Sequence, residues 1–495
     1  MTGRYPIDLA ASNLGELRDV RVPRYDRSGL TTGIVHIGVG SFHRAHQAVY
    51  LDDLMAQGVA HDWAICGVGV LPQDRAMADA LRAQDHLYTV MVKNPDGTRD
   101  ARVIGSIVDY LFAPDDPELV VARLADPAVR IVSLTITEGG YSLDPSTGEF
   151  DPASPDVQAD LDGNRQPRSA FGLIVAGLRR RRETGTPPFT VQSCDNIQSN
   201  GDVAKRAIVA FTRVFDPELA EWIGQEVAFP NSMVDRITPV TTDEDRDEIR
   251  ARYGLSDRWP VVCEPFTQWV IEDHFPLGRP RWELAGAQLV PEVMPYELMK
   301  LRLLNASHQA LTYFGYLIGY RYAHEALADD RIAELLRRYM DDEATPSLEP
   351  VPGIDLAAYK AKLIERFANP EIRDTLARLC AESSDRIPKW LLPVVRHDLE
   401  AGVPVPLAAA VVASWARYAE AVDESGEPIA VVDRLASSLV PLAQRQHDEP
   451  TIFIENAVLF GDLAERRDFV EPYLRTLADL HSVGAAATLD RLLAS

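Results

Sequence analysis

Three side chains able to move a proton or hold an oxygen fall close together at Lys300, Asn305 and His308. On a helix of 3.6 residues per turn Lys300, His308 and Asn305 lie at roughly 0°, 80° and 140°, so one broad face carries all three. Leu301, Leu303, Leu304 and Leu311 crowd that face. An amine wrapped by leucines loses hydration and its pKa falls, which turns a lysine into a base near neutral pH. A lysine on a solvated face and a histidine near a domain contact would give the same pattern without chemistry.

A second concentration lies at 33–46, Gly-Ile-Val-His-Ile-Gly-Val-Gly-Ser-Phe-His-Arg-Ala-His. A short apolar strand runs into a turn at Gly38 and Gly40 and then into a helix. That spacing suits a βα turn whose N–H groups meet a pyrophosphate at a helix N-terminus. The third glycine of the usual fingerprint is replaced by His43, so an ordinary strand-to-helix turn fits the spacing as well. Three polar clusters follow at 135–141, 194–201 and 231–236, each expected at a strand end, where open α/β sheets put their ligands. Singly, each would be a turn bonded to its own backbone. Together, rich in amides and acids, they suit a pocket for a hydroxylated substrate.

The elements that must position these groups change character near residue 290. Before it, short β-branched runs at 33–38, 63–70, 87–92, 130–136, 189–194 and 261–264 read as buried strands. Amphipathic stretches at 74–83, 118–124, 169–182 and 203–214 read as helices between them. Strand and helix in alternation predict an α/β, Rossmann-type doubly wound parallel sheet. The segment 88–110, with its Asn94-Pro-Asp-Gly97 turn, reads as a hairpin inserted into that pattern. Beyond Pro295 helical patterns follow at 296–319, 329–341, 356–367, 386–400, 406–422 and 468–480. The expected domains are thus 1–288, nucleotide-binding, and 289–495, mostly helical. No low-complexity linker separates them, so a cleft between packed halves is the expected ligand site.

At 495 residues and 46% hydrophobic content, the chain can build two or three cored domains. A formal charge of -24 opposes binding to nucleic acid or an anionic membrane. Cys66, Cys194, Cys263 and Cys380 have no paired spacing, which suits a reduced cytoplasmic protein without a disulfide framework or zinc cluster. The first twenty residues carry no apolar core of signal-peptide length, and no apolar run is long enough for a membrane span.

Taken together, these residues resemble the polyol-specific long-chain dehydrogenase, or mannitol dehydrogenase, family. The likeness runs through Gly38-Val-Gly-Ser-Phe42-His-Arg44-Ala-His46-Gln47-Ala48, 135–141 and Ser193-Cys-Asp-Asn196. It continues through Phe229-Pro-Asn-Ser-Met-Val-Asp235-Arg-Ile-Thr-Pro239, Val262-Cys-Glu-Pro-Phe266 and Gln268-Trp-Val. The pattern Lys-x4-Asn-x2-His recurs at Lys300, Asn305 and His308, with Arg378 and Ile387-Pro-Lys389 further on.

The resemblance implies NAD-dependent, metal-independent interconversion of a polyol and a ketose, D-mannitol and D-fructose first among them. It implies Lys300 as general base, Asn196 and Asn305 as amide donors to the reacting oxygen, and His308 as the group orienting the neighbouring hydroxyl. Asp235, Arg378 and Arg386 are the expected substrate contacts, Asp235 either accepting from a hydroxyl or tuning the lysine. Ile37, Gly38, Val39, Gly40, Ser41, Phe42, His43, Arg44, Ala45, His46 and Asp74 are the expected cofactor contacts. The small-molecule substrate would be the partner, and a monomer is compatible with the family.

Two departures stand out. A close relative carries a lysine where this chain has Arg386. In the loop 71–75 a Glu-Asp pair of the relatives is reduced to Gln73-Asp74, and the surviving acid favours NAD by repelling a 2′-phosphate. Asp74 would also serve as a helix N-cap, and the neighbouring Arg75 would soften the preference for NAD. Rival activities are fructuronate reduction, which needs an extra cation for the carboxylate, and D-arabinitol or D-sorbitol oxidation. A nucleotide-binding protein without turnover is the rival of another class.

Overall fold

The computed structural model describes residues 6–144, 148–161 and 166–494. They fall into two compact units, Met1–Val293 and Met294–Ser495. The first is built on a five-stranded parallel sheet in the spatial order Ile107–Phe112, Ala64–Gly69, Thr32–Ile37, Ile131–Leu134, Thr190–Ser193. This is a doubly wound, Rossmann-type sheet, with its topological switch between Thr32–Ile37 and Ile131–Leu134. Its central strand is buried on both faces. Val35 and Ile37 pack with Leu134, Phe171 and Ile174 on one side. Ile34 packs with Leu51, Leu54 and Ile65 on the other. That two-sided burial explains why the strand reads as a continuous apolar run.

The hairpin turn at Asn94–Gly97 is present, but the inserted hairpin is shorter than the sequence suggests. Tyr88–Lys93 pairs antiparallel with Arg99–Ile104, and the following strand, Ile107–Phe112, leaves it to form the edge of the parallel sheet. Val261–Cys263 is likewise not a strand of the main sheet. It pairs in parallel with Val90–Val92 of the hairpin. A further mixed sheet was hidden from periodicity: Ser232–Asp235 runs antiparallel to Gln268–Ile271, which is extended by Gln288–Val290. The polar cluster at 231–236 is therefore itself a strand rather than a strand end.

Asn200 fastens this mixed sheet to the parallel one. Its Nδ2 donates to Asp195 O (3.0 Å) and Ser232 O (2.7 Å), and its Oδ1 accepts from Ser232 N–H (2.9 Å). Ser232 Oγ–H adds a bond to Ser193 O at 2.6 Å. All of these groups are buried, so each would be costly without its partner.

The second unit is helical. The single helix expected over 296–319 is interrupted: Met294–Met299 and Ala306–Ile318 are α-helical, and Lys300–Asn305 between them is a π-helical turn. A second π turn, Tyr339–Ala344, continues the helix Asp330–Arg338. The two turns touch, the Tyr339 hydroxyl donating to Arg302 O at 3.2 Å. Glu343, in the second turn, accepts from Leu407 N–H (2.7 Å) and Ala408 N–H (2.8 Å), capping the helix Pro406–Tyr418. The pattern at 386–400 resolves into two helices, Ser383–Trp390 and Leu392–Ala401. The last helix, Arg467–Ala494, is longer than its apolar repeat suggests and bends at Gly484, whose φ is 80°. Among the described residues no helix is long and apolar enough to cross a membrane.

Replacing Asn200 by Ala leaves the Ser232 amide and the Asp195 carbonyl without partners. We expect a loss of about 2–3 kcal/mol, read as a lower urea midpoint by tryptophan fluorescence. An unchanged midpoint would remove Asn200 as the fastener.

Candidate active site

The carboxyl ends of the parallel strands carry the loops at 38–40, 70–74, 135–141 and 194–200, side by side across the switch point. Gly38 has φ +90°, and a Cβ there would lie 2.2 Å from Thr135 O. Only glycine permits this approach. Gly40 is exposed, and a Cβ on it would meet its first neighbour at 3.9 Å. Ser41–Ala45 then begins the helix, whose first N–H groups have no carbonyl ahead of them. This cradle fits the pyrophosphate of a dinucleotide, with backbone donors and open space above Gly40.

Behind the turn lies a pair of buried imidazoles. His36 and His43 stack with centroids 3.4 Å apart. His36 Nδ1 lies 2.8 Å from Ser133 Oγ and Nε2 lies 2.9 Å from Thr135 Oγ1. Burial pushes the His36 pKa down to about 3 and that of His43 well below its ordinary value, so both rings are neutral. A neutral ring has one N–H, and Thr135, whose own hydroxyl proton goes elsewhere, can accept it from Nε2. The Thr135 hydroxyl then donates to Gly38 O at 2.6 Å. The histidine that stands in place of the third glycine is thus a buried layer under the turn.

Arg44 and His46 also face inward. Arg44 donates from Nη1 to Trp259 O at 2.5 Å, while its own carbonyl accepts from the Tyr88 hydroxyl at 2.7 Å. Burial lowers the Arg44 pKa to about 10. His46 breaks the helix with φ -122° and ψ -95°, and its Nε2 is 3.0 Å from Gln268 O. Ile37, Val39 and Ala45 are buried in the core around this turn, and Ser41 and Phe42 are half-buried beside it.

In the next loop, Asp74 Oδ2 accepts from Val70 N–H and Leu71 N–H, both at 3.0 Å. It closes the turn, while its Oδ1 keeps the capacity to accept a ribose hydroxyl. Gly69 makes room for this arrangement, since a Cβ there would be 2.8 Å from that of Asp74. Arg75 is already committed. Its Nη1 donates to Asp115 Oδ2 at 2.7 Å, Nη2 donates to Oδ1, and the guanidinium lies 4.2 Å from the Phe112 ring centroid.

Asp195 ties two loops together. Its carboxylate accepts from Ile136 N–H (3.2 Å), Thr137 N–H (2.7 Å) and the Tyr141 hydroxyl (2.7 Å). Burial raises its pKa, and those three donors work against the rise. Thr137 is held at φ +61° and Ser199 at φ +52°, unusual conformations that mark the two loops as over-determined by their surroundings. Asn196, directly after Asp195, is exposed at the strand end. Asp235 is buried at the end of its own strand, opposite Gln268. Arg236 beside it donates to Ala45 O at 2.6 Å and to Glu264 O at 3.0 and 3.1 Å.

In the helical unit, the π turn reorganises the face predicted for Lys300, Asn305 and His308. Closing by the Ala306 N–H to Leu301 O bond, it brings residues five apart to about 50° from one another around the axis. Lys300 and Asn305 stand at its two ends, five apart, so the roughly 140° that separates them on a regular helix narrows. Lys300 is 7% exposed, Asn305 4% and His308 9%. The His308 ring lies 4.1 Å, centroid to centroid, from Phe367. The Asn305 Nδ2 group is buried with no hydrogen-bond partner among the described residues.

Arg378 is bidentate to Asp374, through Nε at 2.7 Å and Nη2 at 2.5 Å. Arg386 directs Nη1 to Leu379 O (2.9 Å) and Arg378 O (3.2 Å). Both arginines therefore already have protein partners at the helix Leu376–Cys380. Sequence reasoning did not foresee the π turn, because a 3.6-residue template cannot register an inserted residue. It also passed over Glu297, buried one turn before Lys300.

The chain matches the sequence profile of the mannitol dehydrogenase Rossmann domain over residues 32–284 and that of the mannitol dehydrogenase C-terminal domain over 292–481. It is 45% identical to the mannitol 2-dehydrogenase of Phaeosphaeria nodorum, covering 98% of this chain and 85% of that protein. It is also 45% identical to that of Cereibacter sphaeroides, covering 97% and 100%. Among solved structures, the Pseudomonas fluorescens mannitol 2-dehydrogenase ternary complex with NAD and D-mannitol superposes with a TM-score of 0.89 at 44% identity, covering 99% of this chain and 100% of that one. A substrate-free D-sorbitol dehydrogenase superposes with a TM-score of 0.91 at 36% identity, covering 97% and 100%.

The glycines divide by space. Gly38→Ala drives a methyl into Thr135 O and is expected to weaken NADH binding at least tenfold in a fluorescence titration, whereas Gly40→Ala has room for its methyl and costs less. Equal losses would show that the turn is not held by the approach at Gly38.

Proposed function

The chain belongs to the mannitol dehydrogenase family, and we propose that it oxidises D-mannitol at C2 to D-fructose with NAD, without a metal, using Lys300 as general base. NAD, when bound, accepts the hydride. Everything else the reaction needs must come from side chains.

A secondary alcohol becomes a ketone by losing a proton from oxygen and a hydride from carbon. Lys300, neutral before the step, takes the hydroxyl proton. A positioned base contributes about 10²- to 10⁴-fold. Asn305 and Asn196 donate amide N–H groups to the same oxygen as negative charge builds on it, and they hold the carbonyl in the reverse direction. His308 orients the adjacent hydroxyl. Asp235, Arg378 and Arg386 meet the remaining hydroxyls, Arg378 through the Nη1 that Asp374 leaves available.

The observation that carries this reading is the unpartnered Asn305 amide in the turn that also buries Lys300. A buried donor without an acceptor costs about 1–3 kcal/mol. A substrate oxygen would relieve that cost on arrival. The committed Arg75 and the retained Asp74 support NAD over NADP.

With NAD, mannitol should outperform sorbitol and arabinitol in NADH formation, and fructose should outperform fructuronate in NADH consumption; the opposite order for fructuronate would overturn the substrate assignment. Lys300→Ala should lower kcat by about 10²- to 10⁴-fold while the Kd for NADH changes less than twofold. A normal kcat in that variant would end the base assignment. Turnover should be insensitive to EDTA, and an EDTA-dependent loss restored by zinc would overturn metal independence.

A further inference from the structure

Far along the chain from the proposed catalytic lysine, the helical unit brings together one carboxylate and two imidazoles: Glu420, His447 and His481. Each offers a ligand atom, and these atoms all lie within 4.8 Å of one another. They come from three separate segments. Glu420 follows the helix Pro406–Tyr418, His447 follows Ala436–Gln444, and His481 lies within Arg467–Ala494. We propose that this triad binds a divalent transition metal, Zn²⁺ first, as a fastener of the helical unit independent of turnover.

The chemistry of the set is that of a metal site. Two neutral imidazoles and one carboxylate are ligands that zinc accepts in tetrahedral geometry, leaving a fourth position for water. The carboxylate is already oriented by partners outside the triad. Gln446 Nε2 donates to Glu420 Oε1 at 2.5 Å and Arg417 Nη1 to Oε2 at 3.0 Å. Such supporting bonds are what hold metal-bound carboxylates in place. His481 Nε2 sits 2.6 Å from Glu420 Oε1, a hydrogen-bond distance that places the two ligand atoms on the same point. The ring of His447 stacks on that of His481 with centroids 4.0 Å apart and planes 21° apart. Ligand atoms around tetrahedral zinc stand further apart than 2.6 Å, so His481 and Glu420 must open slightly, and exposed His447 is able to swing in.

An ion here would strengthen a junction now held by the Gln446–Glu420 bond and the stacked imidazoles. The segment after Gln444 would be tied to the last helix, three residues before its bend at Gly484. Arg417, on the far oxygen of Glu420, opposes a second positive charge, so the affinity should be moderate rather than that of a fully closed thiolate site.

The test uses the full chain without a histidine tag, stripped of metal and titrated with ZnCl₂ by calorimetry, alongside Co²⁺ absorption spectroscopy. One ion per chain is expected, with the visible bands of tetrahedral Co²⁺. His447→Ala, exposed and therefore safe for folding, should weaken binding at least tenfold. His481→Ala should do the same. Zinc should raise Tm by several degrees in the unaltered chain and not in His447→Ala, with kcat unchanged in both. No binding by the unaltered chain, or stoichiometric binding that survives His447→Ala and His481→Ala, would overturn the proposal. A zinc-dependent kcat would overturn the separation from turnover.

Discussion

The nucleotide-binding unit depends on one approach of backbone to backbone, at the point where the order of its parallel strands reverses. Gly38 comes so near Thr135 that a single methyl group between them is excluded. The approach is then used, since the Thr135 hydroxyl reaches Gly38 O and His36 reaches that hydroxyl. Around it, Asp195 ties the loop after one strand to the loop after its neighbour, and Asn200 ties both to the mixed sheet. These links are short, buried and polar. Hydrophobic burial gathers the strands, but it is indifferent to direction. The hydrogen bonds remove that indifference, because each buried group loses about 1–3 kcal/mol if its partner moves away.

The helical unit reaches comparable definition by a different means. Its π turn gathers residues that a regular helix would spread apart, and a second π turn packs against the first through Tyr339 and Arg302. A widened turn loses regular hydrogen bonds and is tolerated where neighbours supply others. Arg302 O receives one from Tyr339, and the Arg302 guanidinium donates to Ser347 O. Glu343 caps the helix Pro406–Tyr418 from the second turn, so the distortion is braced on both sides.

Much of the architecture was legible because it rests on patterns that local sequence carries. The Gly38–Gly40 turn, the Asn94–Gly97 hairpin turn and the alternation of strands and helices each follow from backbone preference or apolar period. What escaped rests on partners far away in the chain. Ser232–Asp235, Gln268–Glu272 and Gln288–Val290 are short strands without clear alternation, made strands by one another. Ile107–Phe112 looked like hairpin because it follows one, and only the register with Ala64–Gly69 moves it to the main sheet. Among the site residues, types and order were readable, but commitments were not. That Arg75, Arg378 and Arg386 each have a local partner, and that Asn305 keeps an amide without one, depends on neighbours no spacing rule supplies.

The π turn has a consequence for how this segment tolerates change. Its function is one of phase: an extra residue is accommodated within an otherwise continuous helix, and everything after Asn305 is rotated relative to everything before Lys300. Regularising the turn at constant length would turn His308 by roughly 100° about the axis relative to Lys300, whereas removing one residue would take out the inserted one and leave the flanking helices close to their present phase. Which face Lys300 and His308 share is therefore set by the widened backbone between them rather than by the identity of Leu301, Leu303 and Leu304.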